Sequence, residues 1–164
     1  MSDIHIREAS KADFQFIVEL NEKEVVWTSA MDLSSLEELN KVASYHKVAE
    51  CNGKVVGFLL AVGSEKRFIN ENFAWFANVY PTFIYIDRIV VDESSKGMGI
   101  GRILYENLFG FARARGVPVI GCEFNLRPVN KASKLFHSKL GFKQVGERTY
   151  NKSSKVVSMQ AAKI

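Results

Sequence analysis

Alternation of period two and helical spacing take turns along the chain, and each stretch predicts its own element. Ile4 and Ile6 alternate with polar neighbours, which predicts a short strand. Ser10 with Asp13 three residues on makes a capping box, and Phe14, Ile17, Val18 and Leu20 supply the apolar stripe of the helix behind it. Ser34 or Ser35 reads as the cap of a second helix carrying Leu36, Leu39, Val42 and Ala43. The run from His46 to Cys51, the pair Asn52-Gly53 and the run from Lys54 to Leu60 read as a hairpin, because Asn-Gly accepts the positive φ of a type I′ turn. From Gly63 to Pro81 periodicity lapses, although Phe68, Phe73, Trp75, Phe76 and Tyr80 fall there; the stretch reads as a long ordered connection, a kind that is often functional.

The second half is more regular. Phe83 to Val91 is an apolar strand interrupted by Asp87-Arg88, and Val117 to Phe124 is another. A helix from about Ile100 to Ala114, closed by Gly116, lies between them. Strand, helix, strand predicts a right-handed βαβ unit with its two strands parallel. A short helix runs from Asn130 to Leu140 and stops at Gly141, after which Phe142 to Tyr150 and Lys155 to Ala161, joined by Asn151-Lys152-Ser153-Ser154, form a second hairpin. No repeat or composition shift divides the chain, so residues 1–164 read as one domain.

Composition narrows the classes without choosing among them. At 47% hydrophobic and 24% charged with 3 prolines, the chain is neither disordered nor collagenous. A balance of 22 Lys+Arg against 18 Asp+Glu is mildly basic without a dense positive run, which suits an anionic small ligand better than nucleic acid. Cys51 and Cys122 cannot make a disulfide framework, and no Cys/His cluster has zinc-site spacing, so neither disulfide nor metal is expected. No stretch resembles a signal peptide or a membrane span, and the expected location is cytoplasmic.

The candidate chemistry begins at Lys96-Gly97-Met98-Gly99-Ile100-Gly101-Arg102, where the chain leaves a buried strand and enters a helix. Alternating glycines let backbone N–H groups turn inward, and the helix N-terminus adds partial positive charge, so the segment can seat a diphosphate. The nucleoside-triphosphate P-loop needs Gly-Lys-Ser/Thr, whereas here the order is Lys-Gly with no Ser following. A dinucleotide fingerprint would need a third Gly where Arg102 stands, although Glu123 lies about 20 residues on, as a ribose-binding acid would. A glycine-rich turn that only caps the helix is a third reading.

At these residues the sequence resembles the GNAT superfamily of acyl-CoA-dependent N-acetyltransferases. Its pyrophosphate signature, Gln/Arg-x-x-Gly-x-Gly/Ala, is matched with Lys96 in the first slot, and a second element, an Asn followed by a helix ending in Leu-Gly-Phe, is matched by Asn130 through Leu140-Gly141-Phe142. The order of elements fits along nearly the whole chain. The resemblance implies an α/β fold with a mixed, mostly antiparallel sheet of about seven strands, about four helices and a central βαβ acyl-CoA-binding unit. It further implies that the strand ending Ile89-Val90-Val91 splays from its parallel neighbour, that pantetheine pairs with its backbone, and that the diphosphate rests on the amides of Gly97, Met98, Gly99, Ile100 and Gly101 near Lys96 and Arg102. Asn130 would bind pantetheine or cap its helix; the two roles are compatible.

Where many members of that family carry a Tyr that protonates the departing thiolate, this chain has His137. Histidine can supply a proton near neutral pH, and it can equally be a helix-face residue beside Phe136. Acetylating an amine also requires a neutral nucleophile. A lysine-like amine costs roughly 4–5 kcal/mol to deprotonate at pH 7 and an α-amine roughly 1–1.5 kcal/mol, so a strong base is optional for the latter. Glu123 and Asp87 are the candidate bases, beside a water chain; either carboxylate can instead be structural. Trp27, Phe73, Trp75, Phe76 and Tyr80 are placed in sequence to line the acceptor side, or to pin their loop to the core. The expectation is therefore a single-domain enzyme that uses acetyl-CoA as co-substrate and acetylates a primary amine of a small molecule, amino acid or peptide by direct attack in a ternary complex. The rival is a module that binds acyl-CoA without turnover. Neither a nucleic-acid nor a membrane partner is expected; a homodimer is admitted.

Overall fold

The computed structural model describes residues 3–150 and 153–164, so Asn151 and Lys152 of the last turn lie outside it. Seven strands, β1 (Ile4–Glu8), β2 (Tyr45–Cys51), β3 (Lys54–Gly63), β4 (Ile84–Val91), β5 (Val119–Arg127), β6 (Lys143–Thr149) and β7 (Val156–Lys163), form one sheet in the order β1-β2-β3-β4-β5-β7-β6. Only β4 and β5 run parallel, as the βαβ reading requires; the other pairs are antiparallel. The Asn52-Gly53 turn has φ of 50° and 79°, the type I′ geometry expected of that pair.

Among the described residues five α-helices cover the sheet: α1 (Phe14–Glu22), α2 (Leu33–Val42), α3 (Glu71–Val79), α4 (Ile100–Ala114) and α5 (Lys131–Lys139). The expected four become five because α3 fills part of the aperiodic connection. Its sequence hides the helix: Phe73 and Phe76 face the core beside a buried Asn72, while Trp75 packs edge-on against Phe76, so apolar residues surround most of the axis. Asn70 caps it, its side-chain oxygen accepting the Phe73 N–H at 3.0 Å. At α2 the cap is Asp32, two or three residues earlier than the expected Ser34 or Ser35; its carboxylate accepts the Ser35 N–H at 2.7 Å. Before α1 the expected capping box of Ser10 and Asp13 is present, Asp13 accepting the Ser10 N–H at 2.8 Å while Arg7 grips both oxygens of the same carboxylate.

Period-two alternation sends Phe58, Leu60 and Val62 of β3 toward α1, α2 and α3, and Leu59 and Ala61 toward α4 and α5. In β4 the alternation slips. Leu60 pairs with Arg88 and Ala61 with Ile86, leaving Asp87 as the extra residue of a bulge. Ile84 and Ile86 face the α4 side, yet beyond the bulge Ile89 and Val91 do so, so the strand has changed phase. On its other edge β4 pairs with β5 only at Ile84↔Ile120 and Tyr85↔Gly121. A bulge increases local twist and bends its strand, and here it sits where β4 leaves β5. The opening between the two strands is therefore built into β4 itself. Gly121 stands at its closed end because a Cβ there would lie 2.6 Å from the Phe76 ring.

Candidate active site

Two cavities meet in this opening. The first, about 580 Å³, is bordered by Ile89, Val90 and Val91 of β4, by Lys96, Gly97, Gly99, Ile100, Gly101 and Arg102, and by Phe136 and Leu140 of α5. Beyond Tyr85 the β4 edge has no strand partner on the β5 side, so its backbone groups remain open for an extended ligand. Gly97 and Gly99 have φ of 85° and 76°, a left-handed conformation that an L side chain adopts only at a cost. The first α4 bond runs from the Ile103 N–H to the Gly99 carbonyl, which leaves the N–H groups of Ile100, Gly101 and Arg102 without helical acceptors. This end of the cleft suits an anion. Met98 is turned outward and 38% exposed, so of the expected coenzyme residues it alone does not border the cleft with any part.

The two expected cations are already engaged. The Lys96 ammonium lies 2.6 Å from Glu93 and 3.4 Å from Glu24, and Arg102 pairs with Glu106 at 2.8 Å. The Glu93 hydrogen bond pushes the Lys96 pKa up. The backbone amides are thus the part of this seat with no competing protein charge. Asn130 caps α5, accepting the Ser133 N–H at 3.1 Å, and also borders both cavities, so its two expected roles coexist.

The second cavity, about 260 Å³ and mainly polar, opens on the α1–α3 face and shares Glu24, Trp27, Ile89, Asn130 and Ser133 with the first. Glu123 lies in its wall, two residues beyond the last β4–β5 pair, and the Tyr85 hydroxyl donates to both of its carboxylate oxygens at 2.9 and 2.8 Å. Burial pushes the Glu123 pKa up to about 7; the Tyr85 bond opposes that rise and the charge of Asp87 adds to it. Asp87 is itself taken by Arg88, whose Nε sits 2.7 Å from its carboxylate, while Arg88 also donates to Asn21 and the Ser29 carbonyl. The bulge that frees Asp87 from the β3 ladder thereby makes it part of an ion pair tying β4 to α1.

A cleft with an amide-lined anion seat, opening onto a polar pocket with a buried carboxylate, is the arrangement the family resemblance implies, and comparison with known proteins decides the family. The family model described as "Acetyltransferase (GNAT) family" matches residues 7–142. The chain belongs to this family. No curated protein matches the chain. Among solved structures, Ard1 from Thermoplasma volcanium superposes with a TM-score of 0.79 at 21% identity, covering 98% of this chain and 97% of its own. The ribosomal-protein-S18-alanine N-acetyltransferase from Escherichia coli gives 0.74 at 16% identity, with 99% and 94% covered. The yncA protein from Salmonella typhimurium, solved with its cofactor acetyl-CoA, gives 0.70 at 24% identity, with 99% and 94% covered. At such identities these likenesses speak for the GNAT fold. The enzyme is thus an N-acetyltransferase of a family whose acyl donor is acetyl-CoA.

His137, at the position where many GNAT proteins carry Tyr, is buried at the floor of the gap on the α4–α5 face. Its Nδ1 lies 2.7 Å from the Ser133 carbonyl, a contact that requires a proton on Nδ1; Nε2, 2.6 Å from the Tyr105 hydroxyl, is then the acceptor. Burial pushes its pKa down. In this neutral tautomer neither nitrogen has a proton turned to the cleft, so the direct acid role expected of His137 has no free N–H to carry it. The bond from Tyr105 instead ties α4 to α5.

The expected acceptor aromatics divide. Trp27 borders both cavities and is 41% exposed. Phe73, Trp75, Phe76 and Tyr80 border neither: Phe73 packs against Phe83 and Tyr85, Phe76 against Phe83, Tyr85 and Gly121, Trp75 against Gly146, and Tyr80 stacks on Phe76. They are the core of the α3 layer, a correction that follows from the stretch being a helix. What α3 brings to the pocket is polar. Asn72 lines it together with Asn70, donates to the Tyr150 hydroxyl at 3.2 Å and accepts from Arg148 at 2.8 Å. Tyr85, Tyr150, Lys155, Asn72 and Glu24 were missed in the sequence. Only Tyr85 had a usable signal there, since it shares a strand face with Asp87 by period two.

Proposed function

We propose that the protein transfers the acetyl group of acetyl-CoA to a primary amine by direct attack in a ternary complex, with Glu123 as the general base. The single observation that carries this reading is the meeting of the two cavities at Ile89, Asn130 and Ser133, with a carboxylate of pKa about 7 in the wall of the smaller one. A base serves best when its pKa is near the working pH. The coenzyme arm lies along the open β4 edge, its diphosphate on the amides from Gly97 to Gly101 with Lys96 and Arg102 beside it. That placement sets the thioester where the cavities join.

The amine enters from the polar side. Glu123 takes one proton from the ammonium, which frees the nitrogen lone pair to attack the thioester carbon, and the backbone N–H groups left open on β4 can hold the carbonyl oxygen as its charge develops. The C–S bond then breaks and the nitrogen's second proton goes to sulfur. An ammonium therefore ends as an amide and a free thiol with one proton released, and no enzyme acid is required. In this scheme His137 positions Tyr105 and α5; Asp87 holds Arg88 and raises the Glu123 pKa. Trp27 screens the junction of the cavities from water. Release of coenzyme thiol over a panel of amines tests the reading: release that depends on the amine is expected, and acetyl-CoA binding with no release from any amine would favour a binding module.

A further inference from the structure

Three of the ionised groups bordering the smaller pocket are already matched: Asp87 and Arg88 by each other, and Glu24 by Lys96 outside it. Two charges in the wall have no ion-pair partner among the described residues. One is Glu123. The other is Lys155, at the start of the terminal hairpin's return strand, half-buried, with its ammonium 4.8 Å from the Tyr150 ring centroid. Lys155 is near enough for its charge to act on Glu123. The phenol beside it is also an available donor. Arg148 donates to the Asn72 oxygen, which turns the Asn72 amide nitrogen toward Tyr150, so the Tyr150 oxygen accepts and its own proton has no acceptor among the described residues. Arg148 is in turn held by Glu71 at 2.9 Å and lies 4.6 Å from the Tyr150 ring, so this wall is braced between α3 and the hairpin.

A small pocket with a carboxylate at one place and an unpaired ammonium plus a hydroxyl donor at another is complementary to a ligand carrying both charges. We propose that the acceptor is a free α-amino acid, whose amine meets Glu123 and whose carboxylate is taken by Lys155 and Tyr150. This rests on the acetyltransferase reading and narrows it. A peptide N-terminus presents an uncharged carbonyl where the carboxylate would sit, and would leave Lys155 without a counter-ion. At about 260 Å³ the pocket is also small for anything longer than one residue with its chain inside.

The test compares natural amino acids with their carboxamides and the matching decarboxylated amines by coenzyme-thiol release. For the preferred side chain, kcat/KM for the free acid should exceed that of both analogues roughly tenfold or more, the effect of a charge-assisted contact. Lys155→Met should collapse that ratio, through KM, and Lys155→Arg should restore most of it; unchanged acetyl-CoA affinity shows that the variants fold. Equal kcat/KM for acid, amide and decarboxylated amine, or a peptide preferred over the free acid, would overturn the proposal while leaving the acetyltransferase reading intact. A Lys155→Met variant that keeps the ratio would also overturn it. Silence with every amine despite acetyl-CoA binding would overturn both.

Discussion

The two sides of the gap between β4 and β5 are built by different means. The side proposed for the coenzyme is made of backbone: an open strand edge, two glycines at positive φ and the first amides of α4, contributed by residues 89–102 of one continuous segment. The side proposed for the acceptor is made of side chains. Glu123, Tyr85 and Asn72 come from β5, β4 and α3, and Tyr150 and Lys155 from the terminal turn, up to 83 positions apart in the chain by their residue numbers. A ligand shared by a whole family can be held by groups every residue possesses. A ligand that differs from member to member must be read by side chains, and those can change without disturbing the amide seat.

Changes on one side should therefore leave the other side's property alone. The largest effect is expected from Glu123→Gln, which should lower kcat by about 10²–10⁴ while acetyl-CoA affinity, measured by calorimetry, stays within twofold. The same substitution should stabilise the fold above neutral pH. The folded pKa of about 7 stands above the ordinary carboxyl value of about 4.5, so the charged form is the one that burial penalises. Its cost grows as pH rises from about 4.5 and is complete above about 7, reaching up to about 3 kcal/mol. Thermal unfolding at pH 8 should show the glutamine variant with the higher Tm, and at pH 4 the two should coincide.

On the coenzyme side, Gly99→Val should weaken acetyl-CoA binding about tenfold, because a β-branched side chain at φ 76° costs about 1–2 kcal/mol and shifts the amides. The acceptor KM extrapolated to saturating acetyl-CoA should not move; a matching rise in it would mean that the two sides are not separable. Tyr85→Phe removes a donor that favours the charged form of Glu123. The acid limb of its kcat/KM profile should shift to higher pH, with a several-fold loss at pH 7. Lys96→Met should cost the least, no more than a few-fold in acetyl-CoA affinity, since that ammonium is already shared between Glu93 and Glu24.

What could be read from the sequence follows the same division. Elements set by local patterns, such as the Asn52-Gly53 hairpin, the βαβ unit and the helix from Ile100 to Ala114, stand where periodicity and caps put them. Helix α3 did not declare itself, because Phe73, Trp75 and Phe76 crowd several sides of it and blur the 3.6-residue period. The slip at Asp87 was equally hidden: β4 is apolar on both faces, so nothing in Ile84-Tyr85-Ile86 or Ile89-Val90-Val91 marks a change of phase. His137 shows the limit of matching position for position. The residue aligns with a family acid, but its chemistry is decided by Tyr105 on α4 and by the Ser133 carbonyl one turn back. The acceptor wall depends on contacts such as Asn72 with Tyr150, 78 residues apart, which no local pattern encodes.

The most direct measurement runs wild type and Glu123→Gln side by side, following coenzyme-thiol release over an amine panel at pH 7.5 with acetyl-CoA affinity determined for both. Amine-dependent release by wild type, at least a hundredfold slower in the variant at equal acetyl-CoA affinity, is the predicted result. Equal rates, or two proteins that bind acetyl-CoA and release nothing, would contradict transfer at Glu123.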